Sequence, residues 1–179
     1  TAANAALMGL GNTRRVVLGD TMLGTYTPDE LETVLAHELG HHAHADIPKG
    51  IAVQSLETLA SFWIADVVLK ANVVGIGFDS IADIAAFPVL ALVLGAISLV
   101  AMPLGNGFSR WVEWQADEYA LELSRKPQAF TSTMVKLASQ NLSEVDPERW
   151  VEVLLYDHPA IEQRIRHAEE FARRTGESN

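Results

Sequence analysis

Cysteine is absent from the 179 residues. Disulfides and thiolate metal sites are thereby excluded, and a reducing cytoplasm suits the composition. Positive charge is scarce: 13 Lys and Arg stand against 23 Asp and Glu, a net charge of −10. So acidic a chain lacks the basic footprint that a nucleic-acid partner demands. Internal repeats, low-complexity stretches and a signal-peptide pattern are also missing. The chain starts at Thr1 without a methionine, so it reads as an excised piece, with a frayed tail expected over Thr175 to Asn179. Charge disappears altogether between residues 84 and 109.

What is present is concentrated in one place. Four of the six histidines fall between positions 37 and 44. Within them, His37-Glu38-Leu39-Gly40-His41 sets two imidazoles four residues apart, one turn apart on one helix face. Both rings can then bind one Zn²⁺, and Glu38 can reach a water on the same metal. The bland alternative is a histidine-rich helix surface. His42 and His44 lie off the His37/His41 face or beyond it, and His167 has no evident role.

Thr27-Pro28-Asp29-Glu30 is a helix start: Thr27 caps, Pro28 suits the first turn and Glu30 completes a capping box. Leu31, Val34, Leu35 and Leu39 recur at helical spacing and predict a helix over 28–45 with these residues inward. Upstream, residues 14–20 predict a short strand. It either pairs with an extended peptide substrate or is an ordinary edge strand.

A catalytic zinc needs a third protein ligand and an open position. Glu113 and Asp117 share a helix face four residues apart, among Trp111, Trp114, Ala116 and Tyr119. One carboxylate can ligate while the other orients a ligating histidine. The alternative is a solvated acidic face, since Glu118 and Glu122 are close by.

The run from His37 to Asp46, then Ser109-Arg110, Glu113 and Ala116-Asp117, then His158-Pro159 and Arg164, resembles the membrane zinc metalloproteases. These comprise the type I CAAX prenyl proteases and the HtpX-like heat-shock proteases, and the likeness extends from about Asn4 to Arg166. The resemblance implies that His37, His41 and Glu113 ligate one Zn²⁺ and that Asp117 stands behind them. It implies that Glu38 is the general base, and that His158 and Arg164 stabilise the transition state. Asn4-Ala5 resembles the segment that binds the substrate backbone. It further implies additional membrane helices ahead of the protease region.

His41 and Glu113 lie 72 positions apart. The stretch from Ala85 to Leu104 is long enough to cross a bilayer, and its Pro88, Gly95 and Pro103 are tolerable there. Ile51 to Phe78 is apolar but interrupted by Glu57, Asp66 and Lys70, the last two spaced to pair. The two predict a hairpin leaving and re-entering one membrane face, or else a buried helical pair in a soluble domain. Lys49 and Arg110 at its base, with Asp79 and Asp83 at its tip, put the base and the site in the cytoplasm. Further helices are expected over 127–140, 147–155 (Trp150, Val151 and Leu154 inward) and 160–174.

The expected fold is mainly α: a single metallopeptidase domain over 1–179 with a zincin-like helical core. An edge-strand region (1–26) precedes the zinc-motif helix (28–45). A hydrophobic, membrane-spanning helical hairpin (47–104) follows, then the third-ligand and C-terminal helices (105–174). The expected function is a zinc endopeptidase of the cell membrane, closest to the CAAX type. Its partners are peptide or protein substrates, prenylated or membrane-embedded ones among them, and membrane lipid. The rivals are an HtpX-like quality-control protease, a non-catalytic zinc-binding membrane scaffold, and a soluble peptidase with a self-packed insert.

Overall fold

The computed structural model describes residues 5–9, 11–142 and 144–177. It divides into two compact units, Thr1–Ile47 with Asn106–Asn179, and Pro48–Gly105.

In the first unit, strand β1 (Ala5–Met8) pairs antiparallel with β2 (Arg15–Leu18), Ala5 opposite Leu18. The residues around 14–20 do form a strand; β1, with its unpatterned Ala-Ala-Leu-Met, gave no strand signal. A short helix α1 (Asp20–Thr25) follows, then α2 (Pro28–Ala43). The capping box is realised: Thr27 Oγ1 accepts from Glu30 N at 3.3 Å, and Thr27 N donates to Glu30 Oε2 at 2.7 Å. Helices α5 (Pro127–Asn141), α6 (Arg149–Leu155) and α7 (Ile161–Thr175) complete the unit, together with the last residues of α4 (Phe87–Ser124).

The core joins α2, α4, α5 and α7 through Ala36, Leu121, Phe130, Met134, Ala168 and Phe171. Each of the large side chains contributes about 1.5–3 kcal/mol on burial. A second cluster, Met22, Tyr26 and Val34, receives Ala5 and Leu18 and so docks the sheet. Two inward assignments are corrected. On α2, Val34 is buried as expected, but Leu35 and Leu39 are exposed, and Thr33, Ala36, Glu38 and Gly40 are buried in their place. Small and polar residues face inward there because neighbouring helices approach too closely for leucines. On α6, Trp150 and Leu154 are exposed and Glu152 is buried.

Glu30 ties α2 to α5. Its buried carboxylate also accepts from Ser132 Oγ and Lys136 Nζ, both at 2.6 Å. Burial works to raise its pKa, but these donors prevail and hold it at about 2. A carboxyl depressed on folding stabilises fully above its unfolded value, and that contribution is lost as pH falls through the folded value. Thermal midpoints should therefore drop as pH falls from about 4.5 toward 2. Glu30→Gln should lower stability at pH 7 and flatten this acid limb; an unchanged slope in the variant would refute the assignment.

The second unit holds most of helix α3 (Asp46–Asn72), a connection over 73–86 and the first half of α4. Asp83 caps the 3₁₀ turn at Ile84–Ala86, accepting from Ala85 N at 2.9 Å. Lys70 Nζ meets Asp66 Oδ2 at 2.7 Å. Both helices are long and apolar enough to cross a membrane, and only 6% of the most apolar stretch of each is buried. A core helix of a water-soluble fold would hide most of such a stretch; here Leu56, Leu59, Trp63, Leu92, Leu99 and Val100 point outward. The apolar segment and the helix bearing Glu113, read from sequence as consecutive segments, are one uninterrupted α4 with Pro103 inside it.

Candidate metal centre

Helices α2 and α4 meet at Gly40 and Ala116. A Cβ on Gly40 would lie 3.0 Å from Ala116 Cα and 3.2 Å from its carbonyl oxygen. Mid-helix glycine costs about 1 kcal/mol relative to alanine. Here that cost permits a backbone approach that sets His37 and His41 against Glu113 and Asp117. The sequence reading gave Gly40 no role, although an isolated glycine in a helical pattern is itself a sign of close packing.

The approach assembles a triangle of donor residues, with the two Glu113 oxygens each facing one histidine. His37 Nε2 lies 3.2 Å from His41 Nε2 and 3.3 Å from Glu113 Oε2; His41 Nε2 lies 3.4 Å from Glu113 Oε1. Donors bound at about 2.0–2.1 Å around a tetrahedral ion stand about 3.3 Å apart. The two imidazoles and the carboxylate therefore fit a tetrahedral divalent cation, and they form a group able to hold a metal.

Each histidine is braced from behind. Asp117, fully buried, brings Oδ1 to 2.9 Å from His37 Nδ1. Asp46 Oδ2 lies 3.1 Å from His41 Nδ1. Such contacts fix which ring nitrogen faces the metal. Asp46 received no site role from sequence, although it closes the histidine-rich run. Only the turn reveals its part: Ala45, at φ +56°, adopts a left-handed conformation that costs an L-residue about 1–2 kcal/mol. It ends α2, and the first residue of α3 meets His41.

Arg164, buried on α7, grips Asp117 with two donors, Nε to Oδ2 at 2.7 Å and Nη2 to Oδ1 at 2.5 Å. The same Nη2 lies 3.9 Å from Glu113 Oε2. Arg164 thus contacts both Asp117 and the Glu113 carboxylate. Of the residues flanking the acids, Ala116 is buried with them, whereas Trp111 and Trp114 are exposed.

The electrostatics are consistent with this packing. Burial would raise both acids, but Glu113 is held well below the carboxylate range by the two histidines, and Asp117 by Arg164 and His37. Burial would depress His37, yet Asp117 and Glu113 overcome it and push it up to about 9. His41 is raised despite its burial, chiefly by Glu113. A cation entering here must displace ring protons, so binding weakens as pH falls.

Glu38 is buried in the wall of a 680 Å³ cavity that also contains His37, His41 and Glu113. His158 stands at its rim, half-exposed, with Nδ1 2.9 Å from Asp157 Oδ1 and Nε2 3.5 Å from Glu113 Oε1. Ala5 opens β1 and lines the same cavity, so β1 is the strand facing the cleft. Asn4 lies outside the described residues. The remaining histidines are engaged elsewhere: His42 with Arg14, His44 with Tyr119, His167 with Glu118 and Trp114.

The chain is 35% identical over 172 residues to the uncharacterized metalloprotease YhfN of Bacillus subtilis. It is 27% identical over 190 residues to CAAX prenyl protease 1 of Saccharomyces cerevisiae, and 29% over 173 to protease HtpX of Acinetobacter baumannii. These alignments cover 94%, 91% and 86% of the chain, and 40%, 40% and 57% of the respective relatives. The chain thus spans roughly two fifths to three fifths of the length of these relatives. The crystal structure of S. mikatae Ste24p superposes with a TM-score of 0.76 at 26% identity, covering 92% of this chain and 41% of that one. The model of peptidase family M48 matches residues 1–172, nearly the whole sequence, and the chain belongs to that family.

Proposed function

We propose that the chain is the catalytic part of a zinc-dependent membrane endopeptidase. The observation that carries the reading is the donor triangle of His37, His41 and Glu113, with edges of 3.2–3.4 Å and Glu38 in the same cavity wall. Zinc bound there would polarise the scissile carbonyl and acidify the attacking water. Glu38 takes that water's proton and later delivers it to the leaving amine. His158 donates to the developing oxyanion from the rim. Asp117 and Asp46 hold the imidazoles in register, and Arg164 keeps Asp117 charged. Ala5, with Asn4 ahead of it, offers backbone groups to an extended substrate.

The two units form one metallopeptidase domain in which residues 48–105 are a membrane-spanning insert. α3 and α4 cross the bilayer, and Lys49 and Arg110 at the base of the insert favour a cytoplasmic site. The substrate class closest to this chain is a prenylated C-terminal peptide, supported by the CAAX prenyl protease likeness. The HtpX likeness supports the second reading, quality-control cleavage of membrane proteins.

In detergent, the purified protein should contain one zinc per chain and digest casein. A chelator should abolish digestion and added zinc should restore it; digestion unaffected by full metal removal refutes the mechanism. Faster cleavage of a prenylated peptide than of its unprenylated twin assigns the CAAX type, and equal rates favour the second reading.

A further inference from the structure

Helix α6 is turned inside out. Its buried residue is an acid: Glu152 points inward and accepts from Ala160 N at 3.3 Å and Gln163 Nε2 at 2.8 Å. Its apolar residues point outward, with Trp150 60% and Leu155 59% exposed beside Val153 and Leu154. Leu142, 92% exposed, and Val145 are further exposed apolar side chains just upstream. Left in water, each large apolar side chain forgoes about 1.5–3 kcal/mol.

The orientation is fixed by hydrogen bonds. Arg110 Nη1 donates to the carbonyls of Glu152 at 3.0 Å and Tyr156 at 2.5 Å, and Asn106 Nδ2 donates to Leu154 O at 2.7 Å. These bonds satisfy the helix's C-terminal carbonyls, and the inward Glu152 anchors the opposite side. The outward apolar face is therefore specified by the fold.

We propose that α6 docks on the membrane–water boundary and inserts Trp150, Val153 and Leu154, which share the helix face opposite Glu152, into it. The inference rests on reading α3 and α4 as membrane spans. Continuity argues for lipid as the occupant. Asn106 and Arg110 are the first amide-bearing and first charged residues after the uncharged stretch of α4, and the exposed Trp111 follows directly. Tryptophan is enriched at that boundary. The charge around α6 sets the kind of surface. Glu144, Asp146, Glu148 and Asp157 outnumber Arg149, so docking proceeds by apolar insertion into zwitterionic lipid without attraction to anionic headgroups. A second copy of the chain fits less well, because these side chains offer a few hundred Å² against the roughly 800 Å² per partner of a stable interface.

The placement bears on the proposed reaction. α6 runs straight into Tyr156-Asp157-His158, and Arg110 holds Tyr156 O as well. A lipid-seated α6 fixes the His158 rim at the membrane surface, so the peptide bonds presented to the cleft are those just emerging from the bilayer.

A chain without cysteine allows direct spin labelling. Single labels on Trp150→Cys, Val153→Cys and Leu154→Cys, in the protein reconstituted into phosphatidylcholine nanodiscs, report collisions with oxygen and with a water-soluble nickel chelate. Leu99→Cys serves as the span control and Glu169→Cys as the water control. Oxygen should dominate at 150, 153, 154 and 99, and the ratio should reverse at 169. Nickel dominance at 150–154 with oxygen dominance at 99 overturns the docking and leaves the spans standing. Low collision rates for both reagents at 150–154 overturn it in favour of cover by protein. Nickel dominance at 99 overturns the span reading and the docking with it.

Discussion

Glu38→Gln should cut peptide cleavage by about 10²–10⁴-fold, the usual contribution of a positioned general base, while the protein keeps one zinc per chain. Glutamine preserves the volume and the buried position of Glu38 and removes only its ability to take a proton. The donor triangle is left intact, since its three edges involve His37, His41 and Glu113 alone. Loss of metal together with activity would mean that Glu38 supports the site structurally. Cleavage within a few-fold of the parent would remove Glu38 from the mechanism. Measuring turnover and metal content on one preparation separates these results.

Arg164→Met carries the second large effect, on stability. Arg164 and Asp117 form a bidentate pair in the interior, and removing the cation strands a buried carboxylate beside His37. Breaking such a pair costs about 3–5 kcal/mol, whereas replacing both partners costs much less. The midpoint of thermal unfolding should fall on the order of 10 °C for a chain of this size. The double variant Asp117→Asn, Arg164→Met should recover most of that loss, although without Asp117 behind His37 it should bind zinc more weakly. A double variant no more stable than Arg164→Met alone would show that the two residues contribute independently.

The capping box at Thr27 and Glu30, the helix starting at Pro127, and the long apolar segments were legible because each depends on neighbours within a turn or two. The failures share an opposite cause. The leucines of α2 and Trp150 of α6 follow helical periodicity, but periodicity says only that a stripe exists. Which stripe faces the core depended on Gly40 meeting Ala116 and on Arg110 gripping the α6 carbonyls, both contacts between residues distant in sequence. Asp46 was missed for the same reason: its role depends on the left-handed turn at Ala45.

By itself the sequence determined the chemistry on offer. Histidines one turn apart, a glutamate after the first of them and a later pair of acids are covalent facts about spacing, and local helix geometry turns them into aligned side chains. Only the tertiary structure decided that these groups meet. A 3.2–3.4 Å triangle requires two helices to approach at backbone contact, and that approach is an outcome of packing between residues 72 positions apart. It likewise decided that Arg164 pairs with Asp117, and that the apolar face of α6 looks outward, because burial and pairing are properties of the assembled chain.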